Sequence, residues 1–139
     1  MSLVADASVA AKWFIKEADR EKALRVLDTT ERHAPDLIVP ELGNVVWKKV
    51  VRGEMTAEQG RLICGAIRSY FHLLHPSERL IERAIDLALT LKHPIYDCLY
   101  LSCAEQVGAR LVTADRRLLA AGRDHALAAL VVHLDDVAW

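Results

Sequence analysis

Leu3-Val4-Ala5-Asp6-Ala7-Ser8 sets three apolar residues before an aspartate and then a serine able to cap a helix. A run this short and apolar reads as a buried strand. The residues after it read as a helix to about Lys16, with Val9, Trp13 and Phe14 as its apolar contacts. The same order returns in Leu111-Val112-Thr113-Ala114-Asp115, followed by a short helix from Arg116 to about Gly122. Two short apolar strands, each ending on an acid and feeding a helix, point to a parallel sheet covered on both faces.

The intervening sequence fits that pattern. Asp19 starts a helix over Arg20–Thr30, with Ala23, Leu24, Val26 and Leu27 inward. Ala34 to Val39 reads as a second strand centred on Leu37-Ile38-Val39, and Pro40 suits the first position of a helix that Gly53 ends. Thr56 opens another helix to about Tyr70, and Phe71 to Leu74 is a brief strand. Ser77 caps a helix whose Leu80, Ile81, Ala84, Ile85, Ala88 and Leu89 recur at helical spacing. Pro94 begins a helix that ends at Gly108, and Leu130-Val131-Val132-His133-Leu134 is the last strand. The expected class is α/β: one domain over residues 1–139, a three-layer α/β/α sandwich around a mostly parallel sheet.

Bulk properties narrow the function. A chain of 139 residues can bury roughly 70% of its unfolded surface and needs no staples. Its 53% hydrophobic content leaves apolar surface to spare for a subunit interface. The net charge of −1 supplies no global field for nucleic acid, so any such binding must be local. Cys64, Cys98 and Cys103 are odd in number and lack CxxC spacing, which argues against a disulfide framework and a zinc ribbon. No apolar run approaches the roughly 20 residues of a membrane span, and no signal peptide is evident. The expected location is cytoplasmic.

Four acids lie at the strand and helix junctions: Asp6, Glu41, Asp97 and Asp115. Each alone has a structural reading, because an acid in a first helical turn is stabilised by the helix dipole. Right-handed crossovers, however, bring all four junctions to one edge of the sheet. Carboxylates gathered there repel one another unless a cation neutralises them. An oxygen-only donor set selects a hard divalent ion, and such ions do chemistry on phosphates. Ser8, Asn44 (three residues after Glu41) and Thr113 (two before Asp115) are placed to orient the acids from behind. No histidine is expected among them. Lys12, Lys48, Arg116 and Arg117 are the candidates for contacting nucleic-acid phosphates.

These segments resemble the PIN-domain ribonucleases, and within them the VapC-like toxins of bacterial type II toxin–antitoxin systems. The resemblance rests on Leu3–Ser8, on Pro40-Glu41-Leu42-Gly43-Asn44-Val45-Val46-Trp47, on Tyr96-Asp97-Cys98-Leu99-Tyr100-Leu101-Ser102-Cys103-Ala104-Glu105, and on Leu111–Asp115. It implies Mg²⁺ or Mn²⁺ held by Asp6, Glu41, Asp97 and Asp115, and hydrolysis of RNA by a metal-activated water. It also implies a homodimer and inhibition by a small cognate antitoxin. Family members that act in RNA processing or DNA metabolism are the alternative inside the family.

Rival readings fail on particular residues. A receiver domain needs an acidic pair after the first strand, and Ala5 precedes Asp6. A haloacid-dehalogenase-like phosphatase needs Asp-x-Asp, and Ser8 holds the second place. Gly60 to Gly65 has phosphate-loop glycine spacing without the Lys-Ser/Thr that follows it, so it reads as helix. His72 and His75 lack the glutamate of a zinc helix and read as surface or strand histidines. A non-catalytic interaction module, its acids serving only as helix caps, is the rival of a different class.

Overall fold

The computed structural model describes residues 1–29, 31–123 and 125–139. Its strands are β1 (Ser2–Ala5), β2 (Glu31–Pro35), β3 (Leu73–His75), β4 (Arg110–Thr113) and β5 (Val131–His133). They form one sheet in the order β3-β2-β1-β4-β5, with every neighbouring pair parallel. The helices are α1 (Ala7–Phe14), α2 (Arg20–Val26), α3 (Ile38–Val51), α4 (Ala57–Ala66), α5 (Ile81–Leu91), α6 (Ile95–Val107) and α7 (Arg116–Gly122). Right-handed crossovers place α1 to α4 over one face and α5 to α7 over the other. The α/β expectation is met. The helix expected over Arg20–Thr30 stops at Val26, and Thr30 lies outside the described residues.

Strand order fixes where a site can form. The chain leaves β1 toward β2 and β3, then crosses back to β4 and β5, so the switch point lies between β1 and β4. In such sheets the crevice beyond the carboxyl ends of the two central strands is the binding position. Asp6 follows β1 and Asp115 comes two residues after the end of β4. The N-termini of α3 and α6 rise to the same edge and carry Glu41 and Asp97 in their first turns.

The core beneath is continuous. Val4, Ala5, Val9, Ile38, Leu101, Leu111 and Val112 are fully enclosed. Trp13 is buried against Tyr70 and Phe71, and its indole N–H donates to the Ala23 carbonyl at 2.9 Å. Cys98 and Cys103 are core residues whose thiols burial pushes up to about 11 and about 12, so they are inert packing at neutral pH.

Several expected boundaries move, each for a physical reason. The second strand is Glu31–Pro35, and Leu37-Ile38-Val39 leads into α3 instead. Polar residues hold the strand because each finds a partner. Ser2 donates to Glu31 at 3.0 Å, and His33 Nδ1 lies 3.0 Å from Nε2 of the buried His75. Arg32 donates to the carbonyls of Tyr70, Leu27 and Thr29 at 2.7, 2.9 and 3.1 Å. Asp36 then turns the chain by accepting from Ser77, whose expected role as a helix cap is lost. Pro40 is consequently the third residue of α3, still within the turn whose N–H groups have no helical partner.

The helix from Thr56 forms with a capping box to Gln59 but gives way after Ala66 to a 3₁₀ turn over Ile67–Tyr70. Its expected stripe is only partly inward, since Leu62 is 70% exposed. On α5, Ile81, Ile85 and Leu89 are likewise exposed, while Ala84 and Leu87 pack inward. Gly108 ends α6 as expected, in the left-handed region at φ 72°.

Arg32→Met is expected to cost about 3 kcal/mol, because it leaves three carbonyls without their shared donor. A urea melt of the variant checks this, and an unchanged midpoint would contradict it.

Candidate active site

Asp6 is the centre of the site, and the local fold builds it directly. As the N-cap of α1 it accepts from the Val9 N–H at 3.1 Å. Asp6, not Ser8, is therefore the cap. Ser8 lies within α1, and its hydroxyl donates to Asp6 Oδ1 at 2.5 Å while accepting from the Ala114 N–H at 2.9 Å. Thr113, at the end of β4, donates its hydroxyl to Asp6 Oδ2. Its oxygen also accepts from the Asp115 N–H at 2.9 Å. The two ends of the switch point are thus tied together through Asp6, Ser8 and Thr113.

The carboxyl of Asp6 is only 5% exposed, and burial pushes it up to about 6. The Ser8, Thr113 and Val9 donors pull it down in part, and the charge of Asp97 adds to the upward push. Glu41 is also held above the ordinary carboxylate range, first by burial, against which the Tyr100 hydroxyl acts, and then by Asp97. Asp97 therefore acts on both other acids. Asp97 thus couples to Asp6 on one side and to Glu41 on the other.

Each acid has a protein partner on one side. Tyr100, almost wholly buried in α6, donates to Glu41 Oε1 at 2.5 Å across the sheet edge. The Tyr100 hydroxyl is itself pushed well above its ordinary pKa by burial and by Glu41, so it remains a donor. His93 Nε2 lies 2.6 Å from Asp97 Oδ2. Asp115 caps α7 and accepts from the Arg117 N–H at 2.9 Å.

Sequence alone does not mark His93 and Tyr100 as site residues. The expectation that no histidine stands among the acids is corrected by His93. The signals were spacing: four residues before and three after Asp97, one helical turn in each direction. Pro94 between His93 and Asp97 hid the first.

The other candidates differ in placement. Lys12 donates to the Ala18 carbonyl at 2.9 Å and pairs with Glu17 at 3.3 Å, with its side chain only 12% exposed. Its ammonium group is thus engaged within the segment that follows α1. Lys48 is exposed, two turns further along α3 from Glu41. Arg116 pairs with Asp135 at 3.1 Å, and Arg117 is 90% exposed beside Asp115. Asn44 is exposed next to Glu41 and lines a cavity with it.

The donor set suits a hard cation. Among the described residues, Glu41, Asp97 and Asp115 each have one oxygen engaged by the protein, leaving Oε2, Oδ1 and Oδ2 unengaged. As they lie, no three His, Cys, Asp or Glu side chains among the described residues converge tightly enough to enclose an ion. Tyr100 holds Glu41, His93 lies against Asp97, and Asp6 and Asp115 each cap the helix that follows them.

Fold and site together define an acid-edged parallel α/β domain with its carboxylates at the sheet's switch point. The PIN domain family model matches residues 3–124, and the chain belongs to the PIN-domain family, as a VapC-like member. Ribonuclease VapC3 of Pyrobaculum aerophilum is 33% identical over 121 residues, covering 85% of this chain and 92% of the relative. Ribonuclease VapC1 of Mycobacterium tuberculosis is 34% identical over 92 residues, covering 64% and 66%. Among solved structures, PAE2754 from Pyrobaculum aerophilum matches with a TM-score of 0.71 at 23% identity, over 97% of this chain and 90% of that one. FitAcB from Neisseria gonorrhoeae matches with a TM-score of 0.65 at 14% identity, over 97% and 99%. The structural likenesses show the fold. No helix among the described residues is long and apolar enough to cross a membrane.

Proposed function

We propose that this chain is a Mg²⁺- or Mn²⁺-dependent endoribonuclease, the toxin of a type II toxin–antitoxin pair, acting at Asp6, Glu41, Asp97 and Asp115. The relatives named as VapC ribonucleases support the ribonuclease class. The observation that carries the site is Asp6, a buried carboxylate with three donors, lying in the field of Asp97 at the switch point. A purely structural cap has no need of a second acid pressing on it.

Asp6, Asp97 and Asp115 would hold the cation, and Glu41 would complete the ring. When bound, the ion would neutralise charge on the phosphate and lower the pKa of a water. The chain's own residues do the positioning. Ser8, Thr113 and the Val9 N–H fix both oxygens of Asp6. Tyr100 fixes Glu41 and offsets part of the upward push of burial on its carboxyl. His93 orients Asp97 through one oxygen and leaves the other unengaged. Arg116 and Arg117, exposed beside Asp115, supply positive charge for the RNA backbone.

Exposed apolar surface supports the expected protein partners. Trp47, Val51 and Leu62 lie on α3 and α4, and Ile81, Ile85 and Leu89 on α5. Two such patches fit a second copy and an antitoxin.

End chemistry tests this reading. Hydrolysis by a cation-activated water leaves 5′-phosphate and 3′-hydroxyl ends, so the products should ligate directly. Products ending in 2′,3′-cyclic phosphate would require the RNA 2′-hydroxyl as nucleophile and would overturn it.

A further inference from the structure

A cavity of about 320 Å³ lies beside the acid ring, lined by Leu37, Pro40, Glu41, Asn44 and Tyr96. It shares Glu41 with the site, and Tyr96 immediately precedes Asp97. Tyr96 and Tyr100 are four residues apart on α6 and so stand on one helix face. The lower ring, Tyr100, is buried and holds Glu41. The upper ring, Tyr96, is 60% exposed. Asn44 lies three residues after Glu41, one turn along α3 and also exposed. The cavity therefore offers an uncommitted aromatic ring, an amide with donor and acceptor, and apolar walls from Leu37 and Pro40. Its acid neighbour is the carboxylate that Tyr100 pins in place.

We infer that this cavity is a subsite for one unpaired base of the RNA next to the cleaved phosphodiester. Tyr96 stacks on the base, and Asn44 reads its hydrogen-bonding edge. The inference rests on the ribonuclease reading above and adds where base preference arises. Three points favour an RNA base over a protein side chain. The cavity opens beside the acids, where the substrate must lie. Single-stranded RNA is bound by stacking splayed bases on exposed aromatic rings and by hydrogen bonds to their edges. An asparagine amide presents the paired donor and acceptor that a base edge matches.

The test uses full-length protein carrying Asp6→Asn, so that RNA is bound without being cut. Binding of a fluorescent single-stranded RNA containing a mapped cleavage site is measured by anisotropy. Tyr96→Ala in this background is expected to weaken binding at least tenfold, and Tyr96→Phe, which keeps the ring, to remain within about threefold. Asn44→Ala in the same Asp6→Asn background is expected to reduce, by about fivefold or more, the binding preference between RNAs that differ only in the base beside the mapped site. Melting curves confirm folding, which truncating an exposed ring should not disturb. Equal binding by the Tyr96→Ala variant, or an unchanged base preference in binding with Asn44→Ala, overturns the subsite and leaves the nuclease reading intact. RNA neither bound by the Asp6→Asn protein nor cut by the unsubstituted one overturns both.

Discussion

Asp6→Asn is expected to abolish RNA cleavage, by on the order of 100-fold or more, and at the same time to make the protein more stable near neutral pH. The first effect follows from the position of Asp6 as the anchor of the ring. The second follows from its burial. The folded-state value near 6, against an ordinary 3.8, means that the fold favours the neutral carboxyl. A group raised in this way contributes stability that is fully present below its unfolded value and is lost as pH rises through the folded value. The shift amounts to about 3 kcal/mol at most. Asparagine returns only part of that, since its amide group cannot accept from Ser8 and Thr113 on both sides. A gain of about 1–2 kcal/mol at pH 8 in EDTA is expected, a rise of roughly 3–6 °C for a chain of this size. Near pH 3.5 the difference should shrink toward zero. A variant that is inactive and less stable at pH 8 would show that Asp6 is held for structure, not strained for function.

Asp97→Asn should also remove cleavage by a comparable factor, but through a different electrostatic route. Asp97 is the charge that presses on both Asp6 and Glu41. Neutralising it lets each of them ionise more readily. Carboxyl titration by carbon NMR should therefore show Asp6 and Glu41 moving down in the variant, with Asp6 still above 3.8 because burial is its larger cause. The fold should persist, since Asp97 is partly exposed and stands in the first turn of α6, where no side-chain capping hydrogen bond is made. Unmoved titrations would mean that the three acids do not share a field. Full cleavage activity would remove Asp97 from the site.

Much of this was legible from residue order alone. Leu3-Val4-Ala5 and Leu111-Val112-Thr113 are apolar enough to be read as central strands, and the acids after them mark the sheet edge. The second strand was not legible, because its strand character comes from partners far away in sequence. Glu31, Arg32 and His33 look like loop residues until Ser2, three carbonyls and His75 satisfy them. The apolar run Leu37-Ile38-Val39 looked more strand-like than it is, since a short apolar run carries no period to separate strand from helix. The same limit applies to the site. Its acids could be placed by junction type, but the groups that hold them could not. Ser8 looked like a cap and instead braces the true cap, Asp6. Tyr100 looked like core, and its ring is core, while its hydroxyl crosses the edge to Glu41. Exposed Leu62, Ile85 and Leu89 satisfied a helical period that the monomer buries only in part.

The most direct test of the metal-dependent nuclease is cleavage of a pooled cellular RNA by purified, partner-free protein. It is run with Mg²⁺, with EDTA, and with the Asp6→Asn variant, alongside calorimetric titration of Mg²⁺ and Mn²⁺. Cleavage in the first lane only, with a binding heat that Asp6→Asn removes, is the expected result. Cleavage that survives both EDTA and Asp6→Asn would contradict it, as would a protein that neither cuts RNA nor takes up either ion.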